Sequence, residues 1–327
     1  MQAFWKISKT VLLAMTLAAA AIGFTASAAW AQGIPPVVWA ETPFQYDAGQ
    51  APSVAVSGLV IVEVHEGESG SLWYHTGRIQ ESGSVTWAKT PFQYDNGYAP
   101  SIAISGNDII EVHQANTGDG ALWYHAGSIS AAGQVTWAAK PFQYDNGLAP
   151  SVAIAGQTLI EVHQAGSGAG PLWYRTAEIK TNGIVVWNTT SFQYDNGVAP
   201  SVAVAGSTVI EVHQAGTSEG PLWYHAAEIQ ANGSVAWASA PFQYDSGLAP
   251  SISASGPTAV EVHQGGSGSG PLWYHTAGLQ SNGTVQFAAS GAQYDSGEAP
   301  RIAVAGPTML EVHEGNNGTL WYHTGAY

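Results

Sequence analysis

The sequence predicts an all-β fold: a six-bladed β-propeller with four-stranded antiparallel blades of about 50 residues, the N-terminal strand completing the last blade. Three observations predict it. A Q-Y-D triplet recurs at Gln45, Gln93, Gln143, Gln193, Gln243 and Gln293, spaced by 48 residues and then four times by 50, and such a period belongs to propellers, solenoids or arrays. Each repeat holds four short runs rich in β-branched, small or aromatic residues, separated by Gly, Asn, Ser and Pro. The ends of the chain complement each other: a lone "VVWAETPFQYD" near the start has no blade before it, and "LWYHTGAY" at the finish has no fourth strand after it. Joining them removes the exposed edge of the sheet.

The four strands are read in order from the fourth repeat. "SVAVAG" (Ser201–Gly206) is small and β-branched, suiting the innermost strand, where a blade tapers. "TVIEVH" (Thr208–His213) is the second strand. "LWYHAAEI" (Leu222–Ile229) is the aromatic third. "SVAWAS" (Ser234–Ser239), after the turn "QANG", is the outer one. The outer strand carries Trp39, Trp87, Trp137, Trp187 and Trp237, with Phe287 as the exception. No segment shows a helical apolar period. The "QYDxGxAP" link and the Gly-rich loop after "VHQ" are expected on the same rim.

Residues 1–31 read as a secretory signal peptide: Lys6 and Lys9, an apolar run over Val11–Phe24, and small residues at Ala29 and Ala31 before Gln32. The run is too short for a membrane span. Residues 32–327 are then one propeller domain, secreted or periplasmic. With no cysteine, packing alone holds it. Removing the leader leaves six basic residues against 23 acidic ones, a net of −17. That charge disfavours nucleic acid and anionic lipid, which need clustered Lys and Arg, and leaves neutral partners such as sugars or ordinary proteins.

Glu211 and His213 share a strand face, and the pair recurs in every repeat. Two ligands fall short of a zinc site, so no metal is expected. In five repeats the third strand reads "WYH" and in one "WYR", so Arg175 stands where a histidine does elsewhere. The separation from Glu to that cation is fourteen residues in four repeats and twelve in the first and last, a difference that keeps cross-strand register. Glu211 is therefore expected to face His225 as an ion pair, and Glu161 to face Arg175. The carboxylate raises the histidine pKa and desolvation lowers it.

"YDNG" is turn chemistry, with Asp bonding its own backbone and Gly at positive φ. The same rim carboxylate is placed to accept bonds from sugar hydroxyls. Trp223 and Tyr224 point to opposite strand faces, one toward the core and one toward a rim where a ring meets a pyranose face. A catalytic site needs unequal groups and is expected among the departures from the repeat: Arg175, Phe287, Ala292, Glu298 and Arg301. These include no histidine and no base–nucleophile pair. The chain is expected not to be an enzyme, and no cofactor is expected.

The order of a Trp-bearing outer strand, a Gly and Pro turn, a small inner strand, "VIEVH" and a glycine-bounded "LWYH" resembles the repeat of bacterial β-propeller lectins of the fucose-binding, tectonin-like and tachylectin-like class. The resemblance covers Val37–Tyr327. It implies sugar pockets between neighbouring blades at one rim, at Asp95, His113, Trp123 and their counterparts. The candidate ligand-binding residues are thus Asp47, Asp95, Asp145, Asp195, Asp245 and Asp295; His65, His113, His163, His213, His263 and His313; and Trp73, Trp123, Trp173, Trp223, Trp273 and Trp321. The "EVHQ" and "QYD" strings match no sugar-contacting residues of that class, so no particular sugar is implied. The expected function is a secreted multivalent lectin binding a carbohydrate or glycoconjugate. The alternative is a non-enzymatic protein-interaction scaffold in the periplasm or extracellular space.

Overall fold

The computed structural model describes residues 36–327 apart from positions 119, 182, 281 and 282; the predicted signal peptide lies outside the described residues. The chain is all-β and antiparallel, built from repeated four-stranded units. Among the described residues no helix is long and apolar enough to cross a membrane.

The first unit shows the pattern. An inner strand β3 (Gln50–Ser57) pairs with β4 (Val60–Glu66), which pairs with β5 (Ser71–Ile79). The outer edge is shared by two short strands, β6 (Val85–Trp87) and β7 (Phe92–Asn96), both paired with β5. In later units the outer edge runs without a break into the next inner strand. Phe192–Ala205 pairs through Phe192–Gly197 with Gly170–Ile179 and through Ser201–Ala205 with Thr208–Gln214. The polypeptide therefore crosses from unit to unit on one continuous strand. Two N-terminal strands, β1 (Val38–Trp39) and β2 (Phe44–Ala48), pair with the last strand, Thr319–Ala326.

Local chemistry follows from burial on both faces. Thr208–Gln214 is buried along its whole length, so it lacks a solvent face, and its polar residues Glu211, His213 and Gln214 must find partners inside the protein. The cores lie between units: Ala153, Ile160 and Val162 of one pack with Val202, Val209 and Ala227 of the next. The same contact joins the last unit to the first, where Leu310, Val312 and Tyr322 meet Val54, Ile61 and Ile79. Each fully buried Leu or Ile contributes roughly 1.5–3 kcal/mol.

One expectation about the backbone is corrected. The "YDNG" segment is extended strand rather than a turn, and the strained residue is the alanine two positions beyond the glycine. Ala51, Ala99, Ala149, Ala199, Ala249 and Ala299 have φ between 46° and 50°. Each is held there by the side chain of the preceding unit: Ala199 N–H donates to Gln164 Oε1 at 2.9 Å, and Ala51 N–H to Glu314 Oε1 at 2.6 Å. The glycine is needed for space instead, since a Cβ at Gly97 would lie 2.5 Å from His113 Cδ2.

Candidate site at the junctions between units

At each junction the inner face of one unit meets the outer strand of the one before. In the fourth unit, Thr208–Gln214 presents Glu211 and His213, and the facing strand sets His225 opposite Glu211 and Trp223 opposite His213. The preceding strand delivers Tyr194 and Asp195. The register is the one the spacing predicts, including the two-residue-shorter loops, where Glu63 still faces His75.

The ion pairs are not the expected ones. Glu211, fully buried, bonds along its own strand, its Oε2 3.0 Å from His213 Nδ1. His225 donates from Nε2 to the Ala238 carbonyl at 2.7 Å, which leaves Nδ1 aimed across the junction at Asp195 Oδ2, 3.1 Å away. Arg175 repeats this choice: its Nε donates to the Asn188 carbonyl at 2.7 Å and its Nη1 lies 3.1 Å from Asp145 Oδ2. The third-strand cation thus binds neighbouring units together, while the Glu–His pair stays within one unit.

Electrostatics agree with that geometry. Burial pulls the His213 pKa down, but the charge of Glu211 and its hydrogen bond outweigh it and hold the imidazole above its ordinary value. His225 is likewise raised against burial, by the Asp195 hydrogen bond and the Ala238 carbonyl. Burial acts to raise Asp195, yet its bonds to His225 and to the Asn196 N–H hold it below the usual carboxylate range. Tyr194, buried beside the Glu211 charge, is pushed well above the ordinary phenol value. Its ring stacks on Trp237 with centroids 4.3 Å apart.

The predicted Asp, His and Trp residues gather at the junctions. Every Trp of the set faces its His in register, from Trp73 and His65 to Trp321 and His313. Asp95 Oδ2 and Asp295 Oδ2 lie 4.0 Å from the Nε2 of His113 and His313. The histidines are only 2 % exposed, so solvent meets the Asp and the half-buried Trp, with His behind them. Of the Trp–Tyr pair, the Tyr joins the core, as Tyr224 does beside Ile210 and Val212.

Two features were missed in the sequence. Phe44, Phe92, Phe142, Phe192 and Phe242 are 52–57 % exposed, each lying against a third-strand Tyr; their recurrence in "FQYD" was the available signal. The second is Gly291, standing where other copies carry Pro or Ser. It borders an open cavity of about 420 Å³ lined by Asp245, His263, Trp273 and His275. Among the described residues no group of three metal-ligating side chains is placed to hold an ion.

No protein-family model matches the sequence, and no curated protein is similar to it. Solved structures are similar in fold. Trypanosoma rangeli sialidase in complex with sialic acid matches with a TM-score of 0.55 at 10 % identity over 90 % of this chain, which spans 59 % of the sialidase. A subtype N11 neuraminidase-like protein of a flat-faced bat strain (H18N11) matches with a TM-score of 0.52 at 10 % identity, over 90 % of this chain and 94 % of its own. A protein described as a 6-phosphogluconolactonase from Bacteroides uniformis matches with a TM-score of 0.54 at 11 % identity, over 80 % and 77 %. At this identity the likeness carries the fold alone: repeated four-stranded antiparallel units as in neuraminidase β-propellers. It also corrects one expectation. Sialidases and a lactonase share this architecture, so the chain is not set aside as a non-enzyme. The expectation rested on finding no histidine and no base–nucleophile pair among the departures from the repeat, and one fold hosts many chemistries.

Proposed function

We propose that the protein is an exported carbohydrate-binding β-propeller of six blades, closed by its N-terminal strands, which offers repeated shallow sites at the junctions on one rim. One observation carries the carbohydrate reading: in all six copies an Asp reaches across the junction to the His or Arg of a third strand that also bears a half-buried Trp. A carboxylate accepts two hydroxyls, and an indole face covers the apolar side of a pyranose. The acidic surface favours a neutral ligand, and repetition turns weak sites into avidity. The resemblance to bacterial propeller lectins supports the same reading.

Closure is supported by the pairing of Thr319–Ala326 with β1 and β2, by the Ala51–Glu314 bond, and by a cavity of about 120 Å³ lined by inner strands from Ala51 through Arg301. Its test is Trp39→Ala against Trp237→Ala. In a closed ring both lose about 3–5 kcal/mol; an unaffected Trp39→Ala contradicts closure. Export is tested by N-terminal sequencing of protein recovered outside the cytoplasm, expected to begin at Gln32.

The functional test is a glycan array together with release of sugar from the bound glycans, using the protein and a Trp123→Ala/Trp223→Ala/Trp273→Ala/Trp321→Ala variant. Selective binding that falls tenfold or more in the variant supports the reading. A blank array from folded protein contradicts it and turns attention to protein partners.

A further inference from the structure

The junction between the fourth and fifth units differs from the others. Phe287 replaces the outer Trp, Gly291 replaces Pro, and Ala292 replaces the exposed Phe. The first two changes remove side-chain volume around one histidine, and the third strips the ring that elsewhere lies against the third-strand Tyr. The loss of the indole withdraws the wall that elsewhere packs over this ring, as Trp237 does over His225 at 5.3 Å; Phe287 lies 6.3 Å from His275. Gly291 leaves room that no other residue would, because a Cβ there would sit 2.6 Å from His275 Nε2 and 3.1 Å from the Tyr274 carbonyl.

His275 uses that room. Its counterparts aim Nδ1 at the neighbouring Asp and donate Nε2 to a backbone carbonyl. His275 is turned over, with Nε2 2.6 Å from Asp245 Oδ2. The ring stacks on His263, centroids 5.9 Å apart. Asp245 opens at the same time: its side chain is 36 % exposed, against 15–19 % for its five equivalents. Both now border the cavity of about 420 Å³, beside Trp273, within the size range of small-ligand sites.

The chemistry of the wall selects the ligand class. The Asp245 carboxylate only accepts hydrogen bonds. His275, its side chain 1 % exposed, lies behind that carboxylate and holds it with Nε2. A pocket with an opened carboxylate acceptor and an aromatic flank rejects phosphate and carboxylate and takes a neutral group rich in hydroxyl donors. We propose that this junction is the principal ligand pocket of the protein, taking one pyranose-sized polyhydroxylated ring whose neighbouring hydroxyls donate to the Asp245 carboxylate, positioned by His275, while Trp273 covers its apolar side. The proposal rests on the carbohydrate reading above and singles out one junction from the rest.

The experiment uses the repeat against itself. The variant Phe287→Trp/Gly291→Pro/Ala292→Phe installs the three residues the fourth unit already carries (Trp237, Pro241, Phe242), and so closes the pocket with side chains the fold accommodates. The reverse graft, Trp237→Phe/Pro241→Gly/Phe242→Ala, opens a second pocket over His225. Both are titrated with methyl glycosides of galactose, mannose, fucose and N-acetylglucosamine, reading affinity, stoichiometry and the histidine side-chain NMR signals, with Tm as the control for folding. The expected result is one tight site per chain that shifts the His275 signals, a tenfold or greater loss on closure, and two tight sites in the graft. Glycoside binding that survives closure undiminished overturns the pocket and leaves the carbohydrate reading standing. Failure of every glycoside, and a blank array, to bind the parent protein overturns both. Tighter binding of a simple amine such as methylammonium than of any glycoside at His275 also overturns the proposed ligand class.

Discussion

Glu211 and His225 stand directly opposite each other on adjacent strands and do not bond to each other: Glu211 holds His213, and His225 reaches Asp195 of the preceding unit. Register brings two backbones together without deciding where long side chains terminate. Here the Ala238 carbonyl captures one nitrogen of His225 and points the other across the junction.

That division predicts separable effects. Glu211→Gln should lower the pKa of His213 and cost about 3–5 kcal/mol, since it leaves a buried imidazolium without its counter-charge. Asp195→Asn should lower the pKa of His225 and leave His213 less affected. Histidine NMR titration of the two variants, with denaturant unfolding, checks both; a large effect of Glu211→Gln on His225 alone would restore the cross-strand pair.

Stability should depend on pH from both sides. The junction histidines, including His65, His113, His163 and His213, have folded pKa values raised above the unfolded one. Their stabilisation is complete below about pH 6.5 and is lost as pH rises through the folded values. Asp47, Asp195, Asp245 and Asp295 are depressed. They stabilise above about pH 4 and cease to as pH falls through their folded values. Tm measured against pH should peak between these limits, and a flat profile from pH 5 to 9 would contradict the raised histidines.

Two neighbouring substitutions should act in opposite directions. Gly197→Ala places a Cβ 2.6 Å from the Gln214 carbonyl oxygen and from His213 Cδ2 and should cost about 1–3 kcal/mol through overpacking. Ala199→Gly relieves a residue at φ 50°. Release of about 1–3 kcal/mol of backbone strain exceeds the entropy of the freer unfolded chain, about 0.4–1 kcal/mol, so it should stabilise. Chemical denaturation of both variants decides; a destabilised Ala199→Gly would show that the alanine is not strained.

Arg175→His substitutes the residue found at this position in the other copies. Asp145 is already placed to receive it, as Asp195 receives His225. Its unfolding free energy should lie within about 0.5 kcal/mol of the parent. A loss of several kcal/mol would mean that the guanidinium contact to the Tyr144 carbonyl has no imidazole equivalent.

The four-stranded unit was legible because its turns are punctuated by Gly and Asn, and the repeat shows each strand several times over. Gly206 takes φ 62° between Ala205 and Thr208, as a two-residue hairpin turn requires. The gathering of Asp, His and Trp at the junctions was legible for the same reason. Partner choice was not, because it depends on the direction of side chains three bonds from the backbone. The extended "YDNG" was misread because turn-forming composition also serves a strand that must pass close to a histidine. The pocket beside Gly291 escaped notice because its signal is missing volume around an unchanged His275, and a search for unusual reactive residues does not register an absence.

The most direct test of the account is a crystal structure with the best glycoside from the array bound at saturation. The account predicts the sugar at the junction rim, within hydrogen-bond distance of an Asp of the Asp195 class, its face on the adjoining Trp, with the fullest occupancy beside Asp245 and Trp273. Sugar bound instead along the outer edge at Phe44 and its equivalents, or at the opposite rim, would contradict it.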